Sequence, residues 1–203
     1  MKLPVLVGIT GASGAGFARR LVEALLELEQ RVMLSISPAG AAVIAHELQI
    51  QLDLSDFKPE ILWPGADPQQ LAYYPFQDWM SPMASGSFRT QGMVICPCSG
   101  GTLSAVAQGA DQNLIQRAAN VHLKERRKLI LVPRETPLSL PMIENMRAVT
   151  LAGGTILPAM PGWYHAPRSL EDLIDFVVAR ILDQLQIDHT VGKRWGEGRV
   201  PGC

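Results

Sequence analysis

Leu3-Pro-Val-Leu-Val-Gly-Ile-Thr-Gly-Ala-Ser-Gly-Ala-Gly16, leading into a helical pattern that ends at Glu29, is the stretch that decides the fold. Leu3–Ile9 is apolar throughout rather than alternating, as a strand buried on both faces of a parallel sheet requires. Over Gly14–Glu29 the residues Phe17, Leu21, Ala24, Leu25 and Leu28 recur at helical spacing and mark one buried face. Between strand and helix, Thr10–Gly16 is a turn of small residues. Small residues let backbone approach an anion, and the helix N-terminus offers free N–H groups with partial positive charge. The turn is neither Gly-x-Gly-x-x-Gly nor Gly-x4-Gly-Lys-Ser/Thr, so it predicts a monophosphate-bearing ligand rather than a dinucleotide or P-loop nucleotide. The alternative is a tight strand-to-helix turn that holds nothing.

The same alternation continues along the chain. Arg31–Ser37, Gly92–Cys96, Leu129–Val132 and Thr155–Leu157 read as strands. Ala39–Leu48, Leu103–Gln108, Leu114–Lys124, Pro141–Ala152 and Ser169–Leu185 read as helices. In the last of these, Leu170, Leu173, Ile174, Val177, Ile181 and Leu185 form a stripe, and Ser169-x-x-Asp172 is a capping box. Residues 51–92, punctuated by Pro59, Pro64, Pro68, Pro75 and Pro82, form a long connection, a kind that is often functional. The predicted fold class is α/β: a doubly wound parallel sheet of the Rossmann or flavodoxin-like kind, in a single domain over residues 1–187. A polar, glycine-rich arm follows over 188–203. Ligands are expected at the carboxyl ends of the strands.

Hydrophobic residues make up 47% of the 203 and charged residues 18%, a balance that predicts surface buried against other subunits. A net charge of −1 argues against a broad nucleic-acid footprint, and against a strongly acidic flavodoxin-type electron carrier. No stretch approaches the roughly 18 apolar residues of a membrane span. The start lacks a signal-peptide pattern, so a cytoplasmic location is the expectation. Cys96, Cys98 and Cys203 support neither a disulfide framework nor a zinc site, and no metal is expected.

Several positions carry chemistry. Cys96-Pro-Cys-Ser-Gly-Gly-Thr102 is a second small-residue turn after a strand, able to line a ligand from the other side, with Ser37 adding a hydroxyl. Cys98 is either a small buried hydrophobe or a reactive thiol. Arg117 and Lys124, seven apart, share one helix face, which is either an anion site or a solvated surface. Arg134-Glu135 directly follows a strand. A carboxylate beside a guanidinium there is either a general acid/base or an ordinary ion pair. Glu171-Asp-Leu-Ile-Asp175 resembles a diphosphate–magnesium motif, but acids opening a helix also suit its dipole, and no second acidic cluster accompanies them. The four histidines show no metal-ligand spacing.

Taken together in order, Thr10–Gly14, Asp78–Pro82 with Ala84–Ser87, Ile95–Ser99, Lys124–Arg127, Val132–Glu135 and Pro161–His165 resemble the flavin prenyltransferase family, UbiX type, over about residues 3–196. The resemblance implies a metal-independent transferase that joins dimethylallyl monophosphate to reduced FMN at N5 and C6. The product, prenylated FMN, would be the cofactor of UbiD-type decarboxylases. It also implies a homo-oligomer, commonly a dodecamer, with the site where subunits meet.

Carried over residue by residue, Gly11, Ala12, Ser13, Ser37, Ser99, Gly100, Gly101, Thr102 and Arg134 would hold FMN. Ser85, Arg117, Lys124, Tyr164 and Arg180 would hold the prenyl phosphate. Glu135 would move a proton, Ser13 would lie near the reacting ring, and Trp79 would be an aromatic wall. Gly100 departs from the threonine expected in many relatives, which puts a hydroxyl contact in question but not a backbone one. Trp163 stands where phenylalanine is frequent. Two other classes remain open: an FMN-dependent decarboxylase of cysteine-derived carboxylates, and a non-catalytic flavin-binding protein. The first would want an asparagine where Pro97-Cys-Ser-Gly-Gly-Thr102 has none.

Overall fold

A computed structural model describes residues 2–192 and Arg194; Cys203 and most of the expected arm lie outside them. Six parallel strands, β1 (Val5–Ile9), β2 (Val32–Ile36), β3 (Leu71–Tyr73), β4 (Gly92–Cys98), β5 (Leu129–Pro133) and β6 (Thr155–Ile156), lie in the order β3-β2-β1-β4-β5-β6. The order reverses between β1 and β4, so their carboxyl ends open the crevice where ligands bind in this architecture. Register is set by the buried pairs Val7↔Leu34 and Val7↔Val94. The expected doubly wound sheet is what forms.

Among the described residues six α-helices cover it: α1 (Ala15–Glu27), α2 (Pro38–Leu48), α3 (Gly100–Ala107), α4 (Leu114–Lys124), α5 (Leu140–Leu151) and α6 (Leu170–Leu185). Successive side chains of a strand point to opposite faces, and the core divides accordingly. Val5, Val7 and Ile9 pack with α1 and with Val177, Ile181 and Leu185 of α6. Leu6, Met93, Ile95 and Leu131 pack with Leu103, Ala118 and Val149 of α3, α4 and α5. The chain therefore returns at its end to the face on which it began. At the start of α6 the expected capping box is present: Ser169 Oγ accepts from Asp172 N at 3.2 Å, and Asp172 accepts from Ser169 N at 3.2 Å. Its apolar stripe begins later than expected, because Leu170 is exposed and packing starts at Ile174.

β3 lies in the stretch that the sequence reads as irregular. It has three residues at the sheet edge, between Pro68 and Pro75, too short to show a period. The third strand of the sequence reading extends two residues further, to Cys98, with a register shift between Ile95 and Cys98 against β5. Cys96 and Cys98 are fully buried free thiols, and burial pushes Cys96 up to about 12 and Cys98 higher still, so both behave as small hydrophobes.

His122 of α4 is buried, its Nδ1 donating to the Ala118 carbonyl at 2.7 Å and its Nε2 accepting from Thr90 Oγ1 at 2.8 Å. Burial, which outweighs the Ala118 bond and is joined by the charge of Arg127, pushes it down to about 4. The unfolded chain binds this proton below about 6.5 and the folded chain does not, so stability is lost as pH falls from there toward 4. Denaturant titrations should show a fall approaching ~1.4 kcal/mol per pH unit in that window, flattened in His122→Gln. A second expectation concerns the first turn, where a Cβ on Gly11 would sit 2.5 Å from that of Ala39. Gly11→Ala should cost about 1–3 kcal/mol by overpacking, read as a lowered thermal midpoint.

Candidate active site

The site grows from the two turns that leave β1 and β4. Thr10 Oγ1 donates to the Pro97 carbonyl at 2.8 Å and accepts from Ser99 N at 2.8 Å, so the turns are locked to one another. Ser37 and Ser99 open α2 and α3 as caps. Ser37 Oγ accepts from Gly40 N at 3.0 Å, and Ser99 Oγ accepts from Thr102 N at 3.2 Å while donating to Thr102 Oγ1 at 3.0 Å. Both hydroxyls thus have local work, closing the first turns of α2 and α3. Beside Gly100 and Gly101 a Cβ would meet no atom within 4 Å, so the first turn of α3 faces open space. At the end of β5, Arg134 has a buried Nε without a hydrogen-bond partner. Unpaired buried donors are uncommon, and this one, with the exposed start of α3, fits an anionic, oxygen-rich group such as FMN.

The N-terminus of α1 differs from the sequence expectation. Gly14, at φ 117°, opens the helix, and its N–H and that of Ala15 donate to the carboxylate of Glu47 at 3.0 and 2.7 Å. An internal carboxylate from α2 therefore takes the donors that the sequence assigns to a ligand phosphate. Partial burial pushes Glu47 up, but the Ser13 hydroxyl, the Ala15 and Gly14 N–H groups and the Arg134 charge outweigh it and hold the group below the usual carboxylate range. Glu47 is absent from the sequence-based candidates. The one available signal was a lone acid, beside His46, at the end of the small and apolar run Pro38–Leu48.

Arg134 and Glu135 do not pair with each other among the described residues. Arg134 acts on Glu47 from one side, whereas Glu135 is exposed in a hollow that it shares with Gly100, Ser104, Ser139, Met142 and Asn145. Of the two sequence readings, the ordinary Arg134–Glu135 ion pair is the one the geometry removes.

The five residues assigned to the prenyl phosphate fall into two groups. Arg117 Nε donates to the Ala84 carbonyl at 3.1 Å, and a Cβ on Gly86 would lie 2.7 Å from Lys124 Nζ. Ser85, whose Oγ bonds Ser87 Oγ at 2.9 Å, therefore sits between the two cations on the α4 face. Tyr164 and Arg180 are elsewhere. Tyr164 meets Phe176 of α6 edge-on at 5.7 Å, and Arg180 lines a cavity with His165, Asp172, Asp175 and Phe176. That is the α1–α6 face, on the other side of the sheet. One chain does not bring the two groups together. Trp79 and Tyr164 are 45% and 55% exposed, so neither walls a dry cavity within a single chain.

The acidic run that opens α6 has structural partners: Asp172 completes the cap, and Asp175 accepts from Arg20 Nε at 2.7 Å. Among the described residues no three His, Cys, Asp or Glu side chains converge as a metal site would need, and no helix is long and apolar enough to cross a membrane.

Comparison with known proteins agrees with this geometry. The Flavoprotein family profile matches residues 1–182. A flavin prenyltransferase UbiX of Halalkalibacterium halodurans is 49% identical over 95% of this chain and 93% of its own length. Among solved structures, AnUbiX in complex with FMN and dimethylallyl pyrophosphate superposes with a TM-score of 0.86 at 39% identity, covering 97% of this chain and 98% of that one. A dodecameric FMN-dependent UbiX-like decarboxylase of Escherichia coli gives 0.83 at 36% identity, covering 96% and 99%. On a profile that spans most of the chain, and on relatives this similar from end to end, the protein belongs to the flavin prenyltransferase family, UbiX type.

Proposed function

We propose that the protein is a flavin prenyltransferase that transfers the C5 group of dimethylallyl monophosphate to reduced FMN, at N5 and C6, and releases phosphate. The observation that carries this reading is the carboxylate of Glu47, held ionised on the start of α1 beside Ser13 and Arg134, at the point where the sheet order reverses. A pure flavin binder has no use for a carboxylate held ionised beside Ser13 there.

Gly11, Ala12, Ser13, Ser37, the Ser99–Thr102 turn and Arg134 hold FMN. The capped starts of α2 and α3 present N–H groups, and Arg134 contributes the unpaired Nε. Reduced FMN, when bound, supplies the nucleophilic N5 and C6. Ser85, Arg117, Lys124, Tyr164 and Arg180 bind the phosphate and stabilise its charge as the prenyl C–O bond breaks with its electron pair leaving on oxygen. Trp79 and Tyr164 exclude water, which would otherwise capture the electron-poor prenyl carbon. Glu47, through Ser13, accepts the proton displaced from flavin N5 as N5 takes the place of the phosphate. The bond to C6 then uses up the prenyl double bond, whose inner carbon takes a proton while C6 gives one up. These transfers are assigned to Glu135 on the α3–α5 side, with the departing phosphate a second proton carrier. The product, prenylated FMN, serves a decarboxylase of the UbiD type.

Because the two phosphate-binding groups lie on opposite faces of one sheet, the working site takes Ser85, Arg117 and Lys124 from one subunit and Tyr164 and Arg180 from another. The protein acts as a homo-oligomer, a dodecamer as in the Escherichia coli relative.

Anaerobic incubation with dithionite-reduced FMN and dimethylallyl monophosphate, followed by mass spectrometry of the released flavin, should show the gain of one C5 unit. No gain with either the monophosphate or the diphosphate would refute the assignment. Glu135→Gln and Glu47→Gln should each slow turnover by roughly a hundredfold while FMN stays bound. Unchanged turnover in either removes that residue's role. Co-expressing Arg117→Ala with Arg180→Ala chains should restore about a quarter of wild-type activity, since a random mixture gives about that share of sites two intact halves. A site built within one chain gives no restoration.

A further inference from the structure

Arg180 is held from behind. Its Nη2 donates to Asp183 Oδ2 at 2.7 Å, one turn further along α6. The other carboxylate oxygen of Asp183 accepts from Arg194 Nη2 at 2.8 Å and from His189 Nε2 at 3.1 Å. His189 has no freedom to turn away: Val191 N donates to its Nδ1 at 3.1 Å, which leaves Nε2 as the protonated nitrogen, and its side chain is fully buried. The backbone that carries these groups folds back on α6. Gln186 turns it at φ 57°, Ile187 is buried, Val191 packs on the core, and a Cβ on Gly192 would stand 3.5 Å from Ala179. Gly192 also lines the cavity that Arg180 borders.

An isolated exposed i,i+3 ion pair holds its partners weakly. This one differs, because Asp183 is fixed on its far side by a buried histidine and a second guanidinium before Arg180 arrives. One of the five guanidinium N–H groups of Arg180 is spent on Asp183. Partial burial pushes the Asp183 carboxyl up, and the bonds from Arg194 and His189 with the charges of Arg180 and Arg194 outweigh it, keeping the group ionised.

We propose that Asp183 is a positioning residue for the prenyl phosphate: held from the far side by His189 and Arg194, it fixes Arg180 in the orientation that meets the ligand. The proposal rests on the reading that Arg180 holds that phosphate. Two effects of Asp183 oppose each other. A carboxylate near an anion site weakens anion binding, so losing its charge alone would tighten it. Losing the hold on Arg180 makes the ligand order a long, flexible side chain, which weakens binding by roughly three- to tenfold. Across a partly exposed edge the coulombic effect is screened, so the positioning effect prevails.

The test is calorimetric titration of the FMN-loaded full-length protein with dimethylallyl monophosphate. Arg180→Ala should raise the dissociation constant about tenfold or more, as loss of charge-assisted bonds does. Asp183→Asn should raise it roughly three- to tenfold with the flavin spectrum unchanged, and Asp183→Glu should restore it to within about twofold of wild type. Adding Asp183→Asn to Arg180→Ala should weaken binding no further, since Asp183 then has no guanidinium left to orient. Equal or tighter binding by Asp183→Asn, or full additivity with Arg180→Ala, overturns the proposal while leaving Arg180 in place. No effect of Arg180→Ala overturns the underlying assignment instead. If Asp183→Asn does not retain FMN, Asp183→Ser is read in its place, with the same expected result and the same overturning one.

Discussion

Thr10 is the residue on which the geometry turns. It is 2% exposed at the end of the central strand, and its one hydroxyl both donates to Pro97 and accepts from Ser99. A buried hydroxyl must find partners or carry a desolvation penalty, and here the partners are the end of β4, at Pro97, and the turn that leaves it, at Ser99, on the other side of the topological switch. The two turns that leave β1 and β4 are thereby one rigid object. From it follow the start of α3 with its open flank at Gly100 and Gly101, and the start of α1 with its inward-aimed N–H groups. A flavin lying across that crevice meets backbone from both halves of the sheet.

The second constraint is where the anion donors point. Helix starts attract negative charge because their first N–H groups have no partner within the helix. α1 meets this need with Glu47 from its own chain, whereas α2 and α3 cap themselves with Ser37 and Ser99 and keep an outward face. A carboxylate placed on a helix start is stabilised as the anion, yet it remains beside Ser13, whose hydroxyl can pass a proton outward. Three neighbouring helix starts thus divide into one that holds a carboxylate of its own chain and two that are capped by serine hydroxyls.

Much of this was legible in the sequence, and the rest was not for definite reasons. β1, β4 and β5 declare themselves as unbroken apolar runs, and β2 breaks its run only at Ser35, because strands buried on both faces have few polar residues to spare. β3 has three residues and no such signature. Seven-residue spacing puts Arg117 and Lys124 on one face of α4, and so it is, with Ser85 between them. That Arg180 lies across the sheet from them depends on α6 returning to pack on α1, a tertiary fact that no local pattern carries. Glu47 was illegible because its partners, Gly14 and Ala15, precede it by more than thirty residues.

The cations themselves point to how such a site is loaded and emptied. Arg117 pairs with Asp111 at 2.9 Å, Lys124 with Glu125, and Arg180 with Asp183 at 2.7 Å. Each pair is a quarter to a half exposed, a setting in which ion pairs add little to stability. Their effect is on orientation and on net field. A bare cluster of three cations would repel its neighbours in an assembled oligomer and would bind inorganic phosphate, the product, too well. In the proposed assignment, cations already half-neutralised, and divided between two faces that a second subunit would join, would bind a monoanionic or dianionic ester through directed donors rather than through bulk charge. Such a site gains most when negative charge grows on the leaving oxygen, which is the moment at which stabilisation accelerates the reaction rather than merely retaining the substrate.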